Sequence, residues 1–229
     1  MKAKMVFDTE TYGLKPQNIV FDIGYIIFSG KKELVKRNYL IKETFIPEVL
    51  KNLPFYGEMK TKKYLAMSIP VMSWNDILVT LWNDLKDNNV EEVIAYNLPF
   101  DLNALDATNQ LVNKDEFKLF DGIKLTDLYT VFCTFVESRK DYIRYCIQHG
   151  FISKAGNLLT NAQVAYGFLN DNPYHVEDHT ALSDVVEELY IYNAIKAKKK
   201  KYTMEAKPMP WKIVEYNDNN MKTRNKKKS

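Results

Sequence analysis

Two apolar runs near the N-terminus constrain this chain more than any other feature. IVFDIGYIIF (19–28) and ELVKRNYLI (33–41) are rich in β-branched and aromatic residues, and Ser-Gly-Lys-Lys separates them. Runs of that composition on either side of a short glycine-containing turn predict a β-hairpin. Just upstream, Met5-Val6-Phe7 predicts a short buried strand that ends in Asp8-Thr9-Glu10. Side chains two apart on a strand point to the same face, so Asp8 and Glu10 would sit side by side. Paired carboxylates repel, and losing water costs each of them free energy. A cation between them would remove both penalties. Solvated acids at a strand end, followed by a Tyr-Gly turn, explain the same residues, because D-x-E alone is a weak pattern.

The rest of the chain alternates strand and helix signals. Residues 42–72, with Pro47, Pro54 and Pro70, predict short helices and loop. Ser73 caps a helix in which Trp74, Ile77, Leu78, Leu81, Trp82 and Leu85 recur at the helical period. VIAYN (93–97) is a further strand, and Asn97 and Pro99 mark the start of the next helix. A short strand and a helix capped by Asp127 occupy 123–135, and short helical segments occupy 140–170. The last strong helix runs from about Thr180 to about Lys200. This is a mixed α/β pattern without internal repeats.

The 229 residues suffice for one sizeable domain plus a tail, and 46% hydrophobic residues supply a core. No stretch of 18 or more apolar residues occurs, which argues against a membrane span. MKAKMVFD has no long apolar stretch and is not expected to act as a secretory signal, and Cys133 and Cys146 lack C-x-x-C spacing. Both cysteines are expected to be reduced core thiols, in a cytoplasmic protein. The net charge of +3 is unevenly spread: Lys196 to Ser229 carries 12 Lys/Arg against 3 Asp/Glu, leaving an acidic body of −6. Residues 201–229, with Pro208, Pro210 and runs of Asn and Lys, read as a loosely ordered basic tail. Such a block is either simply solvated or attracted to phosphate or to an acidic partner. Trp211 and Ile213 suit docking of a partner protein.

Two more acidic segments complete the set. AYNLPFDLNAL places Asp101 in the first turn of a helix that directly follows a strand, where the helix dipole favours an acid in any case. HTALSDVVEEL places His179 five residues before Asp184. Five helical residues advance about 140° around the axis. The two share a face only if His179 sits in the loop before the helix, with Thr180 or Asp178 as the cap.

FDTET, NLPFD and HTALSD resemble, in order and spacing, the three motifs of the DEDDh-type 3′–5′ exonucleases. That family includes the proofreading subunit of bacterial replicative polymerases, ribonuclease T and oligoribonuclease. The resemblance covers about residues 4–197. GNLLTNAQVAYGFL and HVEDHTALSDV also look like exonucleases of large tailed phages. Tyr96 stands where many members have His, Ala104 where an aromatic is common, and Tyr12 in place of a frequent Thr.

The resemblance implies a ribonuclease H-like fold: a mixed five-stranded sheet with helices on both faces, here an exonuclease domain over 1–200. It implies that Asp8, Glu10, Asp101 and Asp184 hold two divalent ions, and that His179 takes a proton from the attacking water. Oxygen donors without cysteine suit Mg²⁺ or Mn²⁺, and a pair of such ions stabilises both the attacking and the leaving oxygen. The family's contacts to the terminal nucleotide map onto Thr11, Tyr12, Leu14, Asn97 and Phe100. The implied substrate is a single-stranded 3′ end, DNA ahead of RNA, in replication or proofreading, with the basic tail available to a replication protein. Two alternatives stay open: an exoribonuclease acting on short RNA, and a non-catalytic nucleic-acid-binding module that keeps the fold.

Overall fold

The computed structural model describes residues 2–13, 18–53, 56–137 and 139–198. Leu14 and the basic tail therefore lie outside the described residues. The chain divides into two compact units: Met1–Thr126 with Asp178–Val186, and Asp127–Glu177 with the chain from Glu187 on.

The first unit is built on a six-stranded mixed sheet. Its strands are β1 (Ala3–Tyr12), β2 (Ile19–Ser29), β3 (Lys32–Ile41), β4 (Val71–Met72), β5 (Val90–Ala95) and β6 (Lys124–Asp127), in the order β4-β3-β2-β1-β5-β6. β2 pairs antiparallel with β1 and with β3, as the hairpin reading required, and Gly30 supplies the positive φ of the turn. β5 lies parallel to β1 after a crossover through α1 (Pro47–Asn52), α2 (Gly57–Ala66) and α3 (Trp74–Asp87). This arrangement is consistent with the ribonuclease H-like expectation, but the strand count of five is corrected to six. The additional strand is the two-residue β4, paired parallel with Leu40 and Ile41. Two residues behind Pro70 are too few to show any periodicity.

The two faces of the sheet carry different helices. Met5, Phe7, Ile23, Tyr25, Ile27, Val93 and Ala95 face a core that includes Trp74, Ile77, Leu81 and Leu85 of α3 and Ala104 and Leu105 of α4 (Leu98–Asn113). Ser73 caps α3 as expected, accepting from the Asp76 amide at 3.2 Å. Trp82, read as part of the apolar stripe, is instead half exposed beneath the Lys86 ammonium. A cation over its ring gives Trp82 an apolar and electrostatic contact at the surface. Against the other face, Phe21 and Leu40 pack with Leu50 of α1 and Tyr56 and Tyr64 of the α2 region.

A bulge at Phe21 helps to make that second face. Glu10 pairs with Asp22 while the next residue, Thr11, pairs with Val20, so Phe21 is the extra residue of β2. Its ring meets those of Tyr56 and Tyr64 edge-on, at centroid distances of 5.2 and 5.4 Å. Further along the strand, Gly24 lies against the chain that begins α8 (Ala181–Lys198). A Cβ there would stand 2.5 Å from the Leu182 amide nitrogen.

The second unit is helical, with α5 (Leu128–Val136), α6 (Lys140–His149), α7 (Ala162–Leu169) and the later turns of α8. Asp127 caps α5, accepting from the Tyr129 amide. The Tyr142 ring packs edge-on against Phe132 and Phe168. Cys133 and Cys146 are free and buried, and burial pushes both thiols up to about 11. Among the described residues, no helix is long and apolar enough to cross a membrane.

Candidate active site

Three of the five motif residues converge. Glu10, near the end of β1, His179, in the loop before α8, and Asp184, in the first turn of α8, each offer one ligand atom, all within 4.8 Å of one another. Asp8 stands two residues before Glu10 on the same strand face. It lies close enough that its charge acts on the Tyr56 hydroxyl together with those of Glu10 and Asp22.

Asp101 reaches β1 from α4. Asn97 adopts a left-handed conformation, φ 66°, where the chain leaves β5 and enters α4, and Pro99 occupies the first turn. That turn buries Asp101, whose carboxylate accepts from the Thr9 hydroxyl at 2.6 Å. Burial raises the Asp101 carboxyl to about 7. The hydrogen bonds from Thr9 oppose the rise and the charge of Glu10 adds to it. At the 4.8 Å spacing the group holds neither Asp8 nor Asp101.

Residues that no motif contains hold the site together. The Tyr56 hydroxyl donates to Glu10 Oε2 at 2.6 Å and to the Thr11 carbonyl at 3.1 Å. The Tyr64 hydroxyl donates to Asp22 Oδ2 at 3.1 Å and to the His179 carbonyl at 2.9 Å. The same Asp22 oxygen accepts the Ala181 amide at 3.0 Å, and the Asn38 amide donates to the other oxygen. The first helical amide of α8 is thus bonded by an acid 159 residues earlier in the chain, not by Thr180 or Asp178. The Thr180 hydroxyl turns to Ser183, and Asp178 pairs with Lys63 at 2.7 Å.

His179 has φ 52°, a left-handed conformation that costs about 1–2 kcal/mol for a residue with a side chain. It precedes the helix, as the spacing to Asp184 required. Burial, and next the nearby charge of Lys60, hold its imidazole below the ordinary histidine range, with Asp178 acting against them. Burial dominates the rise of the Asp22 carboxyl to about 6, against the hydrogen bonds from Ala181, Asn38 and Tyr64.

Sequence reasoning missed Asp22, Tyr56 and Tyr64. One signal was available for the first: Asp22 is the single charge inside the apolar run IVFDIGYIIF, and a buried acid needs donors. Of the expected nucleotide contacts, Phe100 is partly exposed in the first turn of α4 and Asn97 is exposed beside it. Thr11 and Tyr12 end β1, and Tyr12 leans on Phe21 at 6.1 Å between ring centroids.

No family model and no curated protein matches the chain. Among solved structures, Exonuclease X in complex with 5′ overhanging duplex DNA aligns with a TM-score of 0.43 at 14% identity, over 90% of this chain and 98% of that one. A likeness of this size assigns neither a family nor an activity.

Proposed function

We propose that this chain is a divalent-metal-dependent 3′–5′ exonuclease of the DEDDh type. It acts on single-stranded 3′ ends, DNA ahead of RNA, and releases nucleoside 5′-monophosphates. The observation that carries this reading is the convergence of Glu10 with His179 and Asp184, from two segments about 170 residues apart in the sequence. Solvation alone gives no reason to gather two acids and a neutral imidazole behind buried tyrosines.

The donor set fits Mg²⁺ or Mn²⁺. Asp8, Glu10 and Asp184 supply hard oxygen donors from one side of β1, and Asp101 supplies a fourth from α4. These four residues would hold two ions. Bound, the ions supply positive charge that offsets the repulsion among the carboxylates and the charge developing on the phosphodiester.

The residues do the remaining work. A His179 ring nitrogen, neutral at pH 7 because its pKa is lowered, accepts a proton from the attacking water. The water oxygen bonds to phosphorus, the bond from phosphorus to the 3′ oxygen breaks, and that oxygen leaves with the electron pair and takes a proton from solvent to become the new 3′ hydroxyl. Phe100 offers an apolar face to the terminal base.

The test uses single-stranded DNA, duplex DNA and RNA of one sequence, each labelled at the 5′ end, with Mg²⁺ or Mn²⁺. The expected result is a ladder that shortens one nucleotide at a time from the 3′ end, fastest on single-stranded DNA and absent in excess chelator. Cleavage that persists in chelator, or in the Asp8→Ala protein, would overturn the metal-dependent reading. Faster trimming of RNA replaces the DNA preference with the exoribonuclease alternative. Binding without cleavage leaves the non-catalytic module.

A further inference from the structure

We infer that Tyr64 and Asp22 are positioning residues for His179, a role that rests on the proposed function. His179 must be held in a left-handed backbone conformation, φ 52°. The loop is fixed from both ends. Ahead of the helix, the Tyr64 hydroxyl donates to the His179 carbonyl. Behind it, the Ala181 amide donates to Asp22 Oδ2, and the same tyrosine hydroxyl reaches that oxygen. One hydroxyl and one carboxylate therefore bracket two peptide units, and both are buried.

The bracket is itself rigid. The Asn38 amide, from β3, donates to the remaining Asp22 oxygen and to the Ile23 carbonyl. The Tyr64 ring packs edge-on against Phe21. Asp22 is the register partner of Glu10, so the anchor that sets the His179 loop belongs to the strand pair that presents a metal-binding candidate. The hydroxyl of α2 thereby sets the distance from the imidazole to Glu10 without touching substrate.

The experiment compares Tyr64→Phe, Asp22→Asn, His179→Ala and the Tyr64→Phe/His179→Ala double variant by single-turnover cleavage of 5′-labelled single-stranded DNA. Tyr64→Phe keeps the buried ring and should lose about 10–100-fold in rate, the scale of a displaced reacting group. Half-saturating oligonucleotide should change by less than about twofold, as for an interaction that acts on the reaction step rather than on binding. In the His179→Ala background, Tyr64→Phe should have no further effect on rate, because there is no imidazole left to place. Asp22→Asn leaves one acceptor oxygen where both are used, so it should lose rate in the same direction as Tyr64→Phe. Tyr25→Phe, which removes the buried hydroxyl bond to Asp84 on α3, is the control for hydroxyl loss elsewhere and should leave the rate unchanged.

A second measurement does not depend on activity. In ¹⁵N,¹³C-labelled protein, Tyr64→Phe should shift the His179 ¹³Cα resonance away from its left-handed value and speed exchange of the Ala181 amide. Full rate in Tyr64→Phe, or the same loss with and without His179, would overturn the role. If the wild-type protein cleaves no substrate, the exonuclease reading falls. Unchanged His179 and Ala181 signals would then overturn the bracket as well, on separate grounds.

Discussion

The Tyr56 hydroxyl donates to the Glu10 carboxylate at 2.6 Å, tying the α1–α2 arm directly to a candidate metal ligand. Burial first, and the Glu10 charge next, hold the phenol far above its ordinary range, so it remains a donor at every working pH. Outer hydrogen-bond partners of this kind typically govern metal affinity by 10–100-fold. Tyr56→Phe should therefore raise the Mn²⁺ concentration needed for half-maximal rate by about tenfold, on that same scale. The rate at saturating metal should recover. A metal titration of the purified variant checks this, and an unchanged midpoint would remove Tyr56 from the site.

His179 is separable from the carboxylates by its pH response. His179→Ala should keep metal binding and lose about 10²–10⁴-fold in rate, the range for a positioned acid–base group. The residual rate should climb more steeply with pH above 7, because solvent hydroxide must replace the base. If His179 served only to enter the helix, the variant would lose stability and keep its rate. Melting temperature and single-turnover rate, measured on the same sample, decide between them.

The buried acids make the metal-free protein sensitive to pH. Asp22 and Asp101 have folded-state values of about 6 and about 7, both raised first by burial. Between their ordinary values near 4 and those values, the folded state binds more protons than the unfolded state. Stability is thus highest at the acid end and falls as pH rises toward 7, by at most about 1.4 kcal/mol per pH unit for each group. Melting temperature in chelator should drop from pH 5 to pH 7, and Mn²⁺ should restore more of it at pH 8 than at pH 5. A melting temperature that rises over that interval in chelator contradicts the assignment. Asp22→Asn should flatten part of the slope.

Gly24 gives a steric test. A Cβ on it would meet the Leu182 nitrogen at 2.5 Å, and Leu182 belongs to the first turn of the helix that carries Asp184. Gly24→Ala must push that turn off the strand, at about 1–3 kcal/mol, the usual cost of overpacking. Urea unfolding should show this loss together with a fall in cleavage rate. Wild-type stability in the variant would mean that the helix start is not seated on β2.

Much of this architecture was legible in the sequence because it is encoded locally. The hairpin, the Ser73 and Asp127 caps, and the helix starting beside Asn97 follow from residues within a few positions of one another. Glu10, His179 and Asp184 could be nominated because their motifs are short and spaced in order. The cap of α8 could not, since its acceptor lies 159 residues upstream. Tyr56 and Tyr64 were equally hidden: the stretch 42–72 has no strong period, and their hydroxyls find partners only across the fold. β4 was missed because a two-residue strand is defined by its neighbour rather than by its own residues.

The bulge at Phe21 separates two quantities that a regular strand would lock together. The pairing of Glu10 with Asp22 is followed directly by that of Thr11 with Val20, so the register of the ladder shifts by one residue there, with regular pairing on either side. Phe21 stands outside that count, yet its ring is the surface on which Tyr56 and Tyr64 rest. A larger or smaller side chain at this one position would raise or lower both hydroxyls together, while Glu10 and Asp22 stayed in register. The fold thus contains an adjustable shim, through which substitution can retune the tyrosine arm without disturbing the strands that carry the acids.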